Sequence, residues 1–229
     1  MLTIEDLRVG YSKEKDVLKG ICLSMETGKI HGLVGLNGAG KTTLLNALYS
    51  FIRPQSGTIL YDGSPLKRKE IGYLESENYF YPYMTGNEYL NLFPSGGTNF
   101  DTESWQKLLS LPLGEITENY STGMRKKLAL LAVLKMNKPI LILDEPYNGL
   151  DLESAHLLTL ILSRLRENGK TVLVTSHIYE TLTTVCDYIH YMKDGIIASS
   201  YPKERFGELQ ELLRTTVKQR ADGAIEHLL

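Results

Sequence analysis

Gly35-Leu36-Asn37-Gly38-Ala39-Gly40-Lys41-Thr42 is the stretch from which the fold can be read. It fits the pattern G-x-x-x-x-G-K-[ST] at every fixed position. Residues 29–34 before it read as a short apolar strand, and residues 43–49 after it read as a helix. The pattern carries meaning only in that strand–loop–helix setting. Glycines let the backbone turn tightly, so that its N–H groups converge on phosphate oxygens. The helix N-terminus adds the positive end of its dipole. Lys41 is placed to reach terminal phosphates, and the Thr42 hydroxyl to ligate Mg²⁺. Taken alone, the loop predicts a bound nucleotide phosphate and leaves its use open.

On the N-terminal side, residues 2–25 alternate apolar and polar around a turn at 12–15, which predicts two or three antiparallel strands. On the C-terminal side, Pro54-Gln55-Ser56-Gly57 ends the helix, and residues 58–61 form a strand before the turn Asp62-Gly63. From 76 to 119 aromatics, Pro82, Pro94 and Gly96-Gly97 replace strand patterns, which predicts a small, mostly helical subdomain. Residues 124–136 have helical spacing with Leu128, Leu131 and Ala132 on one face. Ile140-Leu141-Ile142-Leu143 is a continuous apolar run, as in a strand buried on both faces, and 171–175 is another. Residues 153–167 form a helix expected to turn Leu157, Leu160, Ile161 and Leu165 inward. Lys193-Asp194-Gly195 joins strands at 188–192 and 196–200 as a hairpin.

The chain has 229 residues with 42% hydrophobic content, enough for one sizeable core. A net charge of −2 gives no global attraction to nucleic acid or anionic membrane. Cys22 and Cys186 sit among apolar residues and form no C-x-x-C pair, which predicts two buried free thiols in a reducing compartment. No signal-peptide pattern or membrane-length apolar run is evident; the run at 128–133 follows Arg125-Lys126-Lys127. The expectation is a soluble protein, unless a partner holds it at a membrane.

The strand at 140–143 ends in Asp144-Glu145-Pro146. An aspartate there can hold Mg²⁺, and a glutamate beside it can polarise a water for attack on a γ-phosphate. Tyr120-Ser121-Thr122-Gly123-Met124 precedes this strand, Asn148-Gly149-Leu150-Asp151 follows it, and His177 comes after Thr175-Ser176. This order resembles the ATP-binding cassette family, specifically the nucleotide-binding subunit of an ABC transporter, over essentially the whole chain. The resemblance implies an α/β fold: a P-loop NTPase cassette whose mixed sheet is flanked by helices, with an antiparallel β subdomain and a small helical one. The expected division is a catalytic core at 1–75 and 120–202, a helical signature subdomain at 76–119, and a helical tail at 203–229.

Roles carry over position by position. Tyr11 matches the aromatic that stacks on adenine, and Gly35 to Thr43 match the loop that wraps the phosphates of ATP. Thr42 and Asp144 match the Mg²⁺ ligands, Glu145 the catalytic base and His177 the residue that reaches the γ-phosphate. Ser121, Thr122, Gly123 and Met124 match the signature that contacts the nucleotide bound by the opposite subunit, and Asp151 matches a residue at that interface. A chain with both halves but one loop is expected to work as a head-to-tail dimer, homo- or heteromeric, with two sites. Two departures stand out. Thr122 and Met124 replace a glycine and a glutamine, a form similar to exporters of antibiotics and small hydrophobic compounds. Ser76 occupies the position of a glutamine that meets Mg²⁺, leaving a water, Glu75 or Glu77 to bridge the gap.

The resemblance also implies a separate membrane permease, whose coupling helix lies near Tyr79 to Phe93, and a location on the inner face of the cell membrane. Tyr79, Phe80, Tyr81, Tyr83, Tyr89 and Phe93 either line that groove or pack the helical subdomain. Alternatives to transport are a non-transport ATPase of the cluster-assembly type and an ATP-binding scaffold; intact Lys41, Asp144, Glu145 and His177 oppose the scaffold.

Overall fold

The computed structural model describes residues 1–12, 15–97 and 100–225. Its centre is a six-stranded sheet. β3 (Ile30–Val34), β6 (Ile71–Leu74), β7 (Ile140–Leu143) and β8 (Thr171–Thr175) run parallel with β9 (Tyr188–Lys193), and β10 (Ile196–Pro202) is antiparallel at one edge. The order across the sheet is β10-β9-β3-β8-β7-β6. The apolar runs take central places because strands covered on both faces need no polar side. Their alternate residues serve two cores. Leu141 and Leu143 pack with α4 (Thr122–Lys135), α5 (Leu152–Glu167) and α6 (Tyr179–Val185), while Ile140 and Ile142 pack with α1 (Lys41–Leu48) and a second sheet.

That second sheet is antiparallel, ordered β2-β1-β4-β5, with β1 at Leu2–Ser12, β2 at Lys15–Met25, β4 at Ser56–Tyr61 and β5 at Ser64–Pro65. Ser12 pairs with Lys15; residues 13 and 14 of the expected turn lie outside the described residues, as do 226–229 of the tail. Strict alternation after Ile4 would turn Leu7 and Val9 outward. Asp6 adopts φ 42° at a register shift between Ile4 and Leu7, and this bulge restores both to the core. Alternation also corrects the expectation for Cys22: between Ile21 and Leu23, both buried, its side chain is exposed, and only Cys186 is buried.

The other differences have local causes. The helix after the loop begins at Lys41 and ends at Leu48, well before Pro54, with Ser50 in the left-handed region at φ 61°. Ser56 and Gly57 belong to β4 rather than to a turn. In α5, Leu158, Ile161 and Leu162 are buried and Leu157 and Leu165 pack against the same core, whereas Leu160 is 51% exposed. In α4 everything from Leu128 to Leu134 is buried, because the helix lies between the sheet and the 76–119 segment. That segment has two short α-helices, α2 (Gly86–Asn91) and α3 (Thr102–Leu109). Its prolines and glycines break longer runs. Its aromatics divide: Phe80, Tyr89 and Phe93 pack together inside, while Tyr79, Tyr81 and Tyr83 are 70%, 52% and 82% exposed. α7 (Phe206–Ile225) closes the described chain. Among the described residues no helix is long and apolar enough to cross a membrane.

A polar chain, buried at His31 and His190, crosses β3, β9 and β10 to the exposed Ser200. His31 Nε2 donates to the Glu26 carbonyl at 3.2 Å, which leaves Nδ1 to accept from His190 Nε2 at 3.0 Å. His190 Nδ1 then accepts from the Ser200 hydroxyl at 2.8 Å. This direction requires both rings to be neutral. Burial lowers the pKa of each, and His190 falls to about 3. A depressed histidine keeps its stability contribution above the unfolded value and loses it as pH falls, because the unfolded chain then takes the proton. From pH 7.5 to pH 5, His190 alone should remove about 2 kcal/mol of unfolding free energy. Urea titrations at the two values should show this drop, and His190→Asn should shrink it; an unchanged pH dependence in the variant would contradict the assignment.

Candidate functional site

The ends of β3, β6, β7 and β8 open onto one cleft of about 470 Å³. Crevices at the carboxyl ends of parallel strands are where open α/β sheets place ligands. Gly35 leaves β3 where an added Cβ would stand 2.4 Å from the Met192 carbonyl, so no larger residue fits. Gly38 and Gly40 turn the loop at φ 82° and 107°, in the left-handed region. Inside it the Ala39 N–H donates to the Leu36 carbonyl at 3.1 Å. Asn37, Gly38, Gly40, Lys41, Thr42 and Thr43 line the cleft, and the last three form the first turn of α1. The first-turn amides of a helix have no intrahelical acceptor, which suits them to an anion.

Lys41 folds over its own loop. Its Nζ donates to the Gly35 carbonyl at 2.7 Å and the Leu36 carbonyl at 3.4 Å. Burial lowers its pKa, opposed by the charges of Glu145 and Asp144.

On the facing wall, Asp144 and Glu145 follow β7. Thr175, the last residue of β8, donates its hydroxyl to Asp144 Oδ1 at 2.6 Å and accepts the Glu145 N–H at 2.8 Å. Glu145 adopts φ 49°, which for a non-glycine residue costs about 1–2 kcal/mol. Its Oε2 accepts the His177 backbone N–H at 3.2 Å, and its Oε1 lies 3.1 Å from His177 Nε2. Oε1 is buried and receives no aligned hydrogen bond. Burial raises the pKa of Glu145, and the charge of His177 pulls it back.

The donor set suits a hard divalent cation. The exposed Thr42 hydroxyl and the Asp144 carboxylate offer oxygens in the same cleft, with the Ser76 side chain also at its wall. Among the described residues no three His, Cys, Asp or Glu side chains gather into a metal cage. Such a cation would therefore complete its shell with phosphate and water oxygens, as Mg²⁺ commonly does.

The remaining candidates lie elsewhere. Tyr11 is exposed at the rim, its hydroxyl 3.3 Å from Thr43 Oγ1. Ser121 caps α4 by accepting the Met124 N–H at 3.2 Å, and neither it, Thr122, Gly123 nor Met124 lines the cleft. The signature turn sits instead against the loop after Glu145: a Cβ on Gly149 would meet Thr122 Cγ2 at 2.9 Å. Asp151 caps α5, accepting the Ser154 N–H at 2.7 Å, which holds its carboxyl below the usual range.

Three residues of this site escaped the sequence reading. Asn148 lines the cleft, and Thr175 fixes both acids. Lys126 is buried on α4 with its ammonium against the Glu75 and Ser76 carbonyls. A larger groove of about 740 Å³ between α3 and α5 is lined by Trp105, Leu157, Leu160 and Arg164 among others. It contains no carboxylate or histidine, so it has nothing to activate a water.

Comparison with known proteins bears on the family and the fold. Residues 18–148 match the family model described as ABC transporter. The ABC transporter ATP-binding protein YtrB of Bacillus subtilis (strain 168) is 30% identical over 214 residues, covering 88% of this chain and 73% of that protein. A solved structure of an ATP binding subunit of an ABC transporter superposes with a TM-score of 0.81 at 25% identity, covering 90% of this chain and 93% of that one. A dimeric structure of a post-hydrolysis state of an ATP-binding cassette, bound to ADP and Pi, superposes with a TM-score of 0.78 at 22% identity, covering 89% and 99%.

Proposed function

The chain belongs to the ABC transporter family as an ATP-binding cassette, and on that premise we propose that it hydrolyses ATP as a dimer and drives a separate membrane permease in the direction of export. The observation that carries the reading is the convergence of Lys41, Thr42, Asp144, Glu145 and His177 on one cleft while Ser121 stands outside it.

The chemistry follows from positions. Phosphoryl transfer to water needs alignment and charge compensation more than covalent help. Lys41 exchanges its own loop carbonyls for phosphate oxygens. The Glu145 carboxylate, at the cleft wall, orients the attacking water and takes its proton, with the ring of His177 beside it. Thr42 and Asp144 would hold Mg²⁺, which would supply positive charge to the phosphate oxygens. Ser121 has accepted one N–H but keeps its hydroxyl proton, a free donor at the start of a 14-residue helix. That donor completes a site only if it comes from a second copy. The dimeric cassette with ADP and Pi supports this reading by its likeness of fold.

For the permease, the exposed Tyr79, Tyr81 and Tyr83 support a docking face beside a shallow concavity with Pro82, Met84 and Leu92. Tyr83 holds φ 60°, a strained conformation for an exposed aromatic ring. Export rests on the Met124 form of the signature and the reduced helices of the 76–119 segment.

Glu145→Gln tests the hydrolytic reading: ATP affinity should persist, kcat should fall at least about 100-fold, and size-exclusion chromatography in ATP should show a stable dimer. A fully active variant would remove Glu145 from this role. The Tyr81→Ala, Tyr83→Ala pair should keep basal hydrolysis and lose permease-coupled transport; equal loss of both activities would count against the docking face.

A further inference from the structure

Lys126 is 6% exposed, in the second turn of α4, a helix buried throughout from Leu128 to Leu134. A lysine is seldom buried without a partner, and removing an ammonium from water costs several kcal/mol. A methionine would fill the same space at less cost, so the charge at this position calls for a use. The side chain crosses from α4 to the cleft wall, where Nζ donates to the Ser76 carbonyl at 2.7 Å and the Glu75 carbonyl at 3.3 Å. Ser76 lines the cleft. Glu75 directly follows Leu74, whose carbonyl accepts the Asp144 N–H at 2.8 Å. Asp144 and Glu145 are near enough to favour the charged ammonium, while burial opposes it. Lys126 thus stands between Ser121, five residues earlier on the same helix, and the acids of the cleft. Both ends of this path are fixed by hydrogen bonds.

We propose that Lys126 is a positioning residue: its ammonium fastens the Glu75–Ser76 wall of the cleft to α4, so that α4 and the geometry around Asp144 and Glu145 move as one unit. The grip is on the backbone carbonyls of Glu75 and Ser76, and the Lys126 ammonium, with three donors on a long stem, holds both from another element. The inference deepens the ATPase reading and rests on it for its kinetic readout alone.

The test uses Lys126→Met, which keeps the apolar stem, and Lys126→Arg, which keeps the charge. Lys126→Met should lower kcat for ATP hydrolysis by about 10- to 100-fold, with KM and nucleotide affinity within about twofold and Tm equal to the unsubstituted protein or higher. Lys126→Arg should recover most of that loss. Amide hydrogen exchange supplies a readout independent of hydrolysis. ATP should protect residues 35–43 and 75–78 in the unsubstituted protein, and Lys126→Met should retain protection only at 35–43. Unchanged protection at 75–78 in Lys126→Met would overturn the proposal even if the protein proved not to hydrolyse ATP. So would a kcat within twofold of the unsubstituted protein, a joint fall of kcat, affinity and Tm in both variants, or failure of Lys126→Arg to outperform Lys126→Met.

Discussion

One hydroxyl organises the acidic wall of the cleft. Thr175 Oγ1 gives its proton to Asp144 and accepts the N–H of Glu145, so a single buried group sets the angle of one acid and the backbone of the next. The register explains how it gets there. β7 and β8 are parallel neighbours pairing Leu143 with Val174, which brings the residue after each strand pair to the same level. Replacing the hydroxyl by a methyl would leave buried polar atoms unpaired at a cost of about 1–3 kcal/mol. The strained φ of Glu145 persists because the bonds from Thr175 and His177 over-determine it.

Charge balance is the second constraint. Lys41, Lys126, Asp144 and Glu145 are all buried around the cleft, two of each sign. Burial alone would push the lysines down and the glutamate up in pKa, and the opposite charges restrain those shifts. A triphosphate enters a site whose buried charges are already balanced, with Lys41 tied only to loop carbonyls it can exchange. The site is built to reorganise around phosphate at small cost.

Much of this was legible in the sequence because the strongest signals are local. The loop pattern, the apolar strands at 140–143 and 171–175 and the turn Asp194-Gly195 each depend on a few adjacent residues, and the fold contains them all. What escaped depends on tertiary partners. Lys126 reads as solvated charge until the chain folds and places two carbonyls beside it. Thr175 reads as a β-branched strand residue until β7 lies next to it. Cys22 and Leu160 were misjudged from neighbours in sequence, although pleat phase and helix angle decide exposure. The aromatics of 79–93 split because their side chains serve a core and a surface at once.

In the proposed dimer, Lys41 and Ser121 act on the same nucleotide from different subunits. Mixing Lys41→Ala with Ser121→Ala tests it most directly, since each pure variant has two broken sites while a mixed head-to-tail dimer has one intact site. ATP hydrolysis by an equimolar mixture should rise from near zero to about a quarter of the unsubstituted rate, the statistical share of intact sites. A mixture as inactive as its two components would place both residues in one subunit's site and contradict the account.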